Sequence, residues 1–378
     1  MITKNELTAE DVRQMAESVL RDYLNVNIDG YKWDTASVLN VLMKAAIDGQ
    51  SVESMCADLT EVAGSNALRE QLNAVLDVYD LRRHEVEMNA GLAACLPADL
   101  PRRGREMALD LHDEPFYGKT LELRTYACRG EASEGTTYFY RVASLYVMWR
   151  QVRLTLAVSY VLPEDSNLSI VHRLVQRMQQ LGFGPSVLYA DKAFCEGEII
   201  AYLHKKHLSA VLACSIRGKT GGTRALCHGR KSYGTTYTFS DGTTARLAIV
   251  ASLKTDKKTG KRTRTWLVFV LVHLDWSASK TRQRYRRRFG IESAYRQFGE
   301  LRARTTSRNP AFRFFLLGLA FLLLNIWVRL RYLATRLIAL GPTRLAADAF
   351  RLHRYIAFLR RAIDLAFGAL MAIPIYAW

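Results

Sequence analysis

The feature that most constrains the fold is a pair of long runs rich in β-branched and aromatic residues, 136–147 and 152–161, close enough in sequence to pair as a hairpin. After them the pattern alternates. Leu168, Val171, Leu174, Val175, Met178 and Leu181 recur every three or four residues, which predicts a helix closed by Gly182 and Gly184. A strand at 186–190, a helix at 197–207 and a strand at 209–214 follow. With a short apolar run at 107–109 ahead of them, three strands leading into helix–strand alternation predict a mixed α/β sheet.

The flanks read differently. Residues 1–96 carry apolar side chains at helical spacings, among them Leu20, Tyr23, Leu39, Leu42, Leu72 and Tyr79, and predict a helical N-terminal domain. Pro97 and Pro101 with the basic cluster Arg102, Arg103 and Arg105 mark a boundary, so a first α/β part spans 105–214. Residues 215–276 return to strand patterns (235–239, 244–253 and 264–272) and read as a β-rich insertion. Residues 277–304 read as a long basic helix within a closing segment at 277–310. Two apolar helices are expected at 312–340 and 346–371, within a C-terminal part at 311–378. The longest mostly apolar run, 314–328, contains Asn325 and is bracketed by Arg313 and Arg329. A membrane span needs about 20 residues, so this run reads as a buried core helix and no membrane is expected.

Charge is distributed unevenly. Residues 1–100 carry 8 basic and 17 acidic side chains, and 201–378 carry 33 and 7, within a chain whose formal net charge is +17. So basic a C-terminal half calls for a polyanionic partner, and nucleic acid is the commonest. The six cysteines form no CxxC pair and the eight histidines no HExxH set, which favours reduced thiols in a cytosolic protein over a zinc site. The N-terminus, beginning at Met1, lacks the apolar stretch of a secretory signal. Gly218-Lys219-Thr220 echoes a phosphate loop, but Ala213 stands where that motif needs glycine.

The scarce acids of the basic half are informative. Around Glu292, Tyr285 and Arg288 on one side and Tyr295 and Arg296 on the other fall on one face of a helix, and the arginines should keep the carboxylate ionised. Taken alone, that segment reads equally as a helix-surface ion pair. Asp110 and Asp191 each follow an apolar strand, where α/β sheets place ligand-binding residues, although a strand-end aspartate also serves as a turn or helix cap. Two strand-end aspartates and a helix glutamate together could hold two Mg²⁺ or Mn²⁺ ions over a phosphodiester, since hard cations take oxygen ligands.

In these blocks the sequence resembles DDE transposases. The blocks are Asp110-Leu111 with Pro115-Phe116-Tyr117-Gly118, then Asp191-Lys192-Ala193-Phe194, then Tyr285, Arg288 and Glu292 in a Tyr-two-Arg-three-Glu spacing. The β-rich stretch before Glu292 is similar to that of the insertion-sequence-four-like group of prokaryotic elements, whose ribonuclease-H-like domain is interrupted by a β insertion. The separations of 81 residues from Asp110 to Asp191 and 101 from Asp191 to Glu292 are compatible with it. The resemblance covers about 105–305.

It implies a ribonuclease-H-like catalytic domain and a transposase cutting and joining DNA at the ends of its own element. Asp110, Asp191 and Glu292 would hold two Mg²⁺ or Mn²⁺ ions, and water or a DNA 3′-hydroxyl would attack without a covalent intermediate. Tyr285 and Arg288 would contact DNA near the element's end, and two ends imply a homodimer on DNA. A basic residue is expected seven positions after the Glu, where this chain has Gly299; Arg296 is the substitute. Asp113 competes with Asp110 as the first carboxylate. Arg284, Arg287, Lys257, Lys258 and Lys261 are further candidate DNA contacts by charge. The expected location is the cytoplasm, at the nucleoid. The rival readings are a stand-alone nuclease or recombinase of the same fold and a non-enzymatic basic DNA-binding protein.

Overall fold

The computed structural model describes residues 6–26, 28, 34–149, 152–255, 260–289, 298–338 and 350–373. Five helices open the chain: α1 (Ala9–Tyr23), α2 (Thr35–Asp48), α3 (Val52–Asp58), α4 (Ser65–Val75) and α5 (Leu81–Ala94). Their starts follow local chemistry. Thr8 and Asp11 form a reciprocal capping box on α1, Asp34 and Ser37 do the same on α2, and Gly49 ends α2 in the left-handed conformation.

The strands β1 (Arg103–Pro115), β2 (Cys128–Ser133), β3 (Thr136–Trp149) and β4 (Val152–Val161) follow, with the single-turn α6 (Leu121–Arg124) before β2. Then come α7 (Asn167–Gln180), β5 (Gly184–Ala190), α8 (Gly197–Lys205) and β6 (Ala210–Cys214). The predicted hairpin is β3 with β4, antiparallel from Arg141↔Val161 to Trp149↔Val152. β1 lies antiparallel to β3 and parallel to β5, and β5 is parallel to β6. The order β4-β3-β1-β5-β6, with helices joining the parallel strands, is the ribonuclease-H-like mixed sheet that the resemblance implied.

The strands of 215–276 continue the sheet. β7 (Tyr233–Thr238), β8 (Thr244–Thr255) and β9 (Arg262–Val272) do not form a layer of their own. β9 pairs antiparallel with β6 from Ala210↔Val272 to Cys214↔Val268, and β8 and β7 follow, so they extend the sheet to nine strands. The cause is legible in β9, whose apolar end Val268 to Val272 covers the free edge of β6 and would otherwise lie exposed. β1 also runs further than the 107–109 reading, because β3 pairs with it through Pro115↔Phe139.

The sheet has unequal faces. One is buried in a large apolar core shared by α5, α7, α8, the long helix α10 (Pro310–Ile338) and α11 (Leu352–Phe367). N- and C-terminal helices meet in that core: Lys44 on α2 is buried and its Nζ lies 2.6 Å from Asp364 and 3.3 Å from both Asp48 and Asp58. The expected apolar helices at 312–340 and 346–371 correspond to α10 and α11, and Asn309 caps α10 ahead of Pro310. α10 is long and apolar enough to cross a membrane, but 94% of that stretch is buried inside the protein. The other face carries a smaller cluster of Ala108, Tyr146, Tyr189, Val211, Ala248, Phe269 and Leu271 under Ala278 and Tyr285 of α9 (Ala278–Phe289).

Candidate active site

The site lies where β1 and β5 diverge. Their parallel register runs to Ala108↔Tyr189, and two residues further along the chain stand Asp110, within β1, and Asp191, just past the last residue of β5. Asp110 shares its side of β1 with Ala108, and so faces the layer that α9 covers. It is buried, whereas the side chain of Asp191 is 44% exposed. Asp191 Oδ1 accepts a hydrogen bond from Lys192 N at 2.6 Å, which turns the chain away from the sheet.

α9 brings cations to this point. Arg288 Nη2 donates to Asp110 Oδ1 at 3.1 Å and lies 3.9 Å from Asp191 Oδ2. Those two carboxylate oxygens are therefore no more than about 7 Å apart. Arg288 Nη1 donates to the Tyr285 hydroxyl at 3.0 Å, and that hydroxyl donates to the Ala190 carbonyl at 3.1 Å, next to Asp191. The Tyr285 ring packs on Phe269 and Tyr189, which fixes the helix over the strand ends.

A second arginine comes from inside the sheet. Arg153 on β4 is buried, its guanidinium 3.7 Å over the Tyr146 ring, and its Nη1 lies 3.9 Å from Asp110 Oδ2. Ser144, the cross-strand partner of Asp110, accepts from Arg153 Nη2 at 3.1 Å. Burial pushes the Asp110 carboxyl above its usual range, and Arg153 and Arg288 pull it back. Burial likewise lowers the Arg153 pKa. Asp110 Oδ2 is buried and accepts no hydrogen bond.

The sequence candidates sort as follows. Asp110 and Asp191 are brought together, while Asp113 points elsewhere and pairs with Arg141 Nε and Nη2 at 2.6 and 2.9 Å. Glu292, Arg296, Lys257 and Lys258 lie outside the described residues. Tyr285 and Arg288 are 3% and 5% exposed and are engaged by protein atoms, so neither presents itself to a phosphate at the surface as expected. Arg284 Nη1 lies 3.1 Å from Glu106 Oε1, and Arg287 Nη1 lies 3.9 Å from Glu106 Oε2. Lys261 is exposed beside the turn from β8 to β9. Sequence reasoning missed Arg153 and Glu106; an arginine inside the apolar run of β4 was the available signal for the first.

Among the described residues, no group of three or more His, Cys, Asp or Glu side chains is placed to hold a metal ion. The pair nevertheless has the chemistry for a hard divalent cation. Its donors are carboxylate oxygens, one of them buried and unbonded, and one member of the pair opens to water.

Comparisons with known proteins bear on the family and the fold. Residues 153–326 match the family model described as Transposase DDE domain, a segment that starts at Arg153, includes Asp191 and α9, and leaves Asp110 outside. No curated protein matches the chain. Among solved structures the chain is similar to a piggyBac transposase in a synaptic complex with hairpin DNA. The TM-score is 0.56 and the identity 11%, over 96% of this chain and 77% of that one, a likeness of fold.

Proposed function

We propose, from the premise that the chain carries a transposase DDE domain and is a transposase, that Asp110, Asp191 and Glu292 are its catalytic carboxylates. The observation that carries this reading is the single Arg288 guanidinium within 3.9 Å of both aspartates, on α9 and four residues before Glu292 in the sequence. Asp110, Asp191 and Glu292 would hold Mg²⁺ or Mn²⁺, two ions in all. Such ions, when bound, would supply activation of the attacking oxygen and stabilisation of the leaving one.

The protein's own groups do the positioning. Asp110 is fixed by the Leu111 N–H and by Arg288, which leaves Oδ2 available as a ligand. Asp191 meets solvent and so marks the side from which DNA and water arrive. Tyr285 ties Arg288 to the Ala190 carbonyl and keeps the guanidinium between the carboxylates. The reaction is DNA strand cleavage and strand transfer.

The finer reading is an element of the insertion-sequence-four-like group, supported by the Tyr285, Arg288, Glu292 spacing and by the strands β7 to β9 that precede α9. DNA as the partner is supported by the synaptic complex with hairpin DNA of the similar piggyBac structure, and two element ends would call for a homodimer. Such an enzyme works at the nucleoid, in the cytoplasm.

The test is cleavage and joining of DNA bearing the coding region with its flanks. Asp191→Asn and Glu292→Gln should each lower the Mg²⁺-dependent rate about 10³-fold, which is about 4 kcal/mol of barrier, while DNA binding persists. Undiminished strand transfer by either variant overturns the assignment. Cleavage by the unmodified chain without joining would favour the stand-alone nuclease.

A further inference from the structure

We infer that the groove between α9 and β8 seats the phosphodiester backbone of DNA, an inference that rests on the transposase reading and divides the arginines of α9 into two functions. The groove measures about 540 Å³ and is lined by Ser232, Ser279, Arg282, Gln283, Arg286 and Arg287, with Val250 as its apolar floor. Residues 279, 282, 283 and 286 recur at helical spacing, so one stripe of α9 forms the wall. The opposite stripe carries Thr281, Tyr285 and Arg288, which are buried toward the sheet and the aspartates. The arginine-rich run is therefore not a uniformly solvated basic surface. Arg288 faces the carboxylates, Arg284 pairs with Glu106, and Arg282 and Arg286 face the groove.

The lining selects the ligand class. Three guanidinium groups and the neutral donors Ser232, Ser279 and Gln283 meet there, and no carboxylate lines the groove. This is the donor set that contacts nucleic-acid phosphates without reading bases. An open groove of this size exceeds a lone phosphate ion and suits an extended polyanion. Its two ends also fit a strand. Arg282 donates to Ser252 on β8 at 2.9 Å, close to the hairpin that carries Lys261, Arg262 and Arg264. Arg286 precedes Arg288 by two residues, about 3 Å along the helix axis, so a phosphate held there lies across the helix from the aspartates, more than about 10 Å away.

The experiment is binding of a fluorescein-labelled duplex to the full chain, followed by anisotropy from about 50 to 200 mM salt. Loss of two phosphate contacts in R282A/R286A should weaken binding at least about 10-fold and reduce the slope of log K against log salt by about 1.8. Arg286 is exposed, so R286A alone keeps the fold and should reduce the slope by about 0.9. R282K/R286K should restore most of the slope, as phosphate binding by charge requires and a packing role does not. If the unmodified chain binds DNA and these alanine variants bind it with the same affinity and slope, the groove is overturned and the transposase reading stands. If the unmodified chain binds no DNA, both fall together.

Discussion

The two faces of the nine-stranded sheet are built on opposite terms. The face under α5, α7 and α10 is thick, and two of its buried asparagines are spent on backbone. β4 pairs with β3 alone, so its outer edge presents unpaired backbone groups. Asn325 of α10 accepts from Thr155 N at 3.0 Å and donates to Thr155 O at 2.8 Å. Asn89 of α5 does the same for Val158, at 2.7 and 2.9 Å. The face under α9 is thin and holds its charge close together: Arg153 and Arg288 flank Asp110, whose Oδ2 accepts no hydrogen bond, and Asp191 is half exposed. Asparagines that complete the edge of β4 stabilise the thick face, while the unbonded Asp110 Oδ2 and the half-exposed Asp191 keep the thin face ready for a cation.

The largest effect that would sharpen this contrast separates the two aspartates. Asp110→Asn should lose catalysis as fully as Asp191→Asn, and it should also lose about 3 kcal/mol of stability, because the buried Arg153 then loses the carboxylate beside it and the buried Arg288 loses the nearer of its two aspartates. Asp191→Asn leaves a half-exposed turn cap that asparagine fills as well, with a change below about 0.5 kcal/mol. Urea unfolding followed by circular dichroism measures both. Equal stabilities would mean that Asp110 does not hold the two arginines, and the comparison between the faces would fail.

The thick face is tested by Asn325→Leu. Two buried backbone groups of β4 lose their partners, which costs about 2–4 kcal/mol, and metal-dependent cleavage at low temperature should be retained. A neutral result would show that water or a shifted strand satisfies that edge.

Much of the framework was legible before any coordinates, for physical reasons that also explain the gaps. The hairpin of β3 and β4 and the alternation after it are periodic, and periodicity reports local burial. The destinations of β7 to β9 were not legible, since strand pattern says that a segment pairs and not with which edge. The sequence shows Asn325 within an apolar run but not its partner, Thr155, which lies 170 residues away. Asp110 and Asp191 could be singled out because each follows an apolar run. That Arg288 faces inward to both depended on which side of α9 packs down, which Tyr285 decides through its contact with Phe269.

Arg288→Gln probes the electrostatics that join α9 to the sheet. Asp110 already sits above the usual carboxylate range through burial, and Arg288 is one of two cations holding it down. Without that cation, the pKa rises further and the proton competes with metal up to a higher pH. The acid limb of the cleavage profile should therefore move to higher pH, whereas Arg288→Lys, which keeps the charge, should leave it nearer its original place. A lower rate with an unmoved acid limb would make Arg288 a contact to DNA alone.

The smallest effect concerns His112, two residues along β1 from Asp110. Its Nε2 lies 3.1 Å from Ser144 Oγ, the hydroxyl that also accepts from Arg153. Ser144 then has its own proton to give, and His112 Nε2 receives it as the neutral ring. Burial, with Arg153 and Arg302 nearby, pushes the His112 pKa down to about 3. The unfolded chain, whose histidines titrate near 6.5, therefore takes up this proton first as pH falls. Stability that is full above about pH 6.5 should decline toward about pH 3, with a slope of at most about 1.4 kcal/mol per pH unit from this group. His112→Asn should flatten that part of the profile, read as the difference in urea midpoints between the two proteins from neutral pH to about pH 5. An unchanged slope would mean that the charged ring finds a partner in the fold, and that the wall behind Asp110 tolerates a third cation beside Arg153 and Arg288.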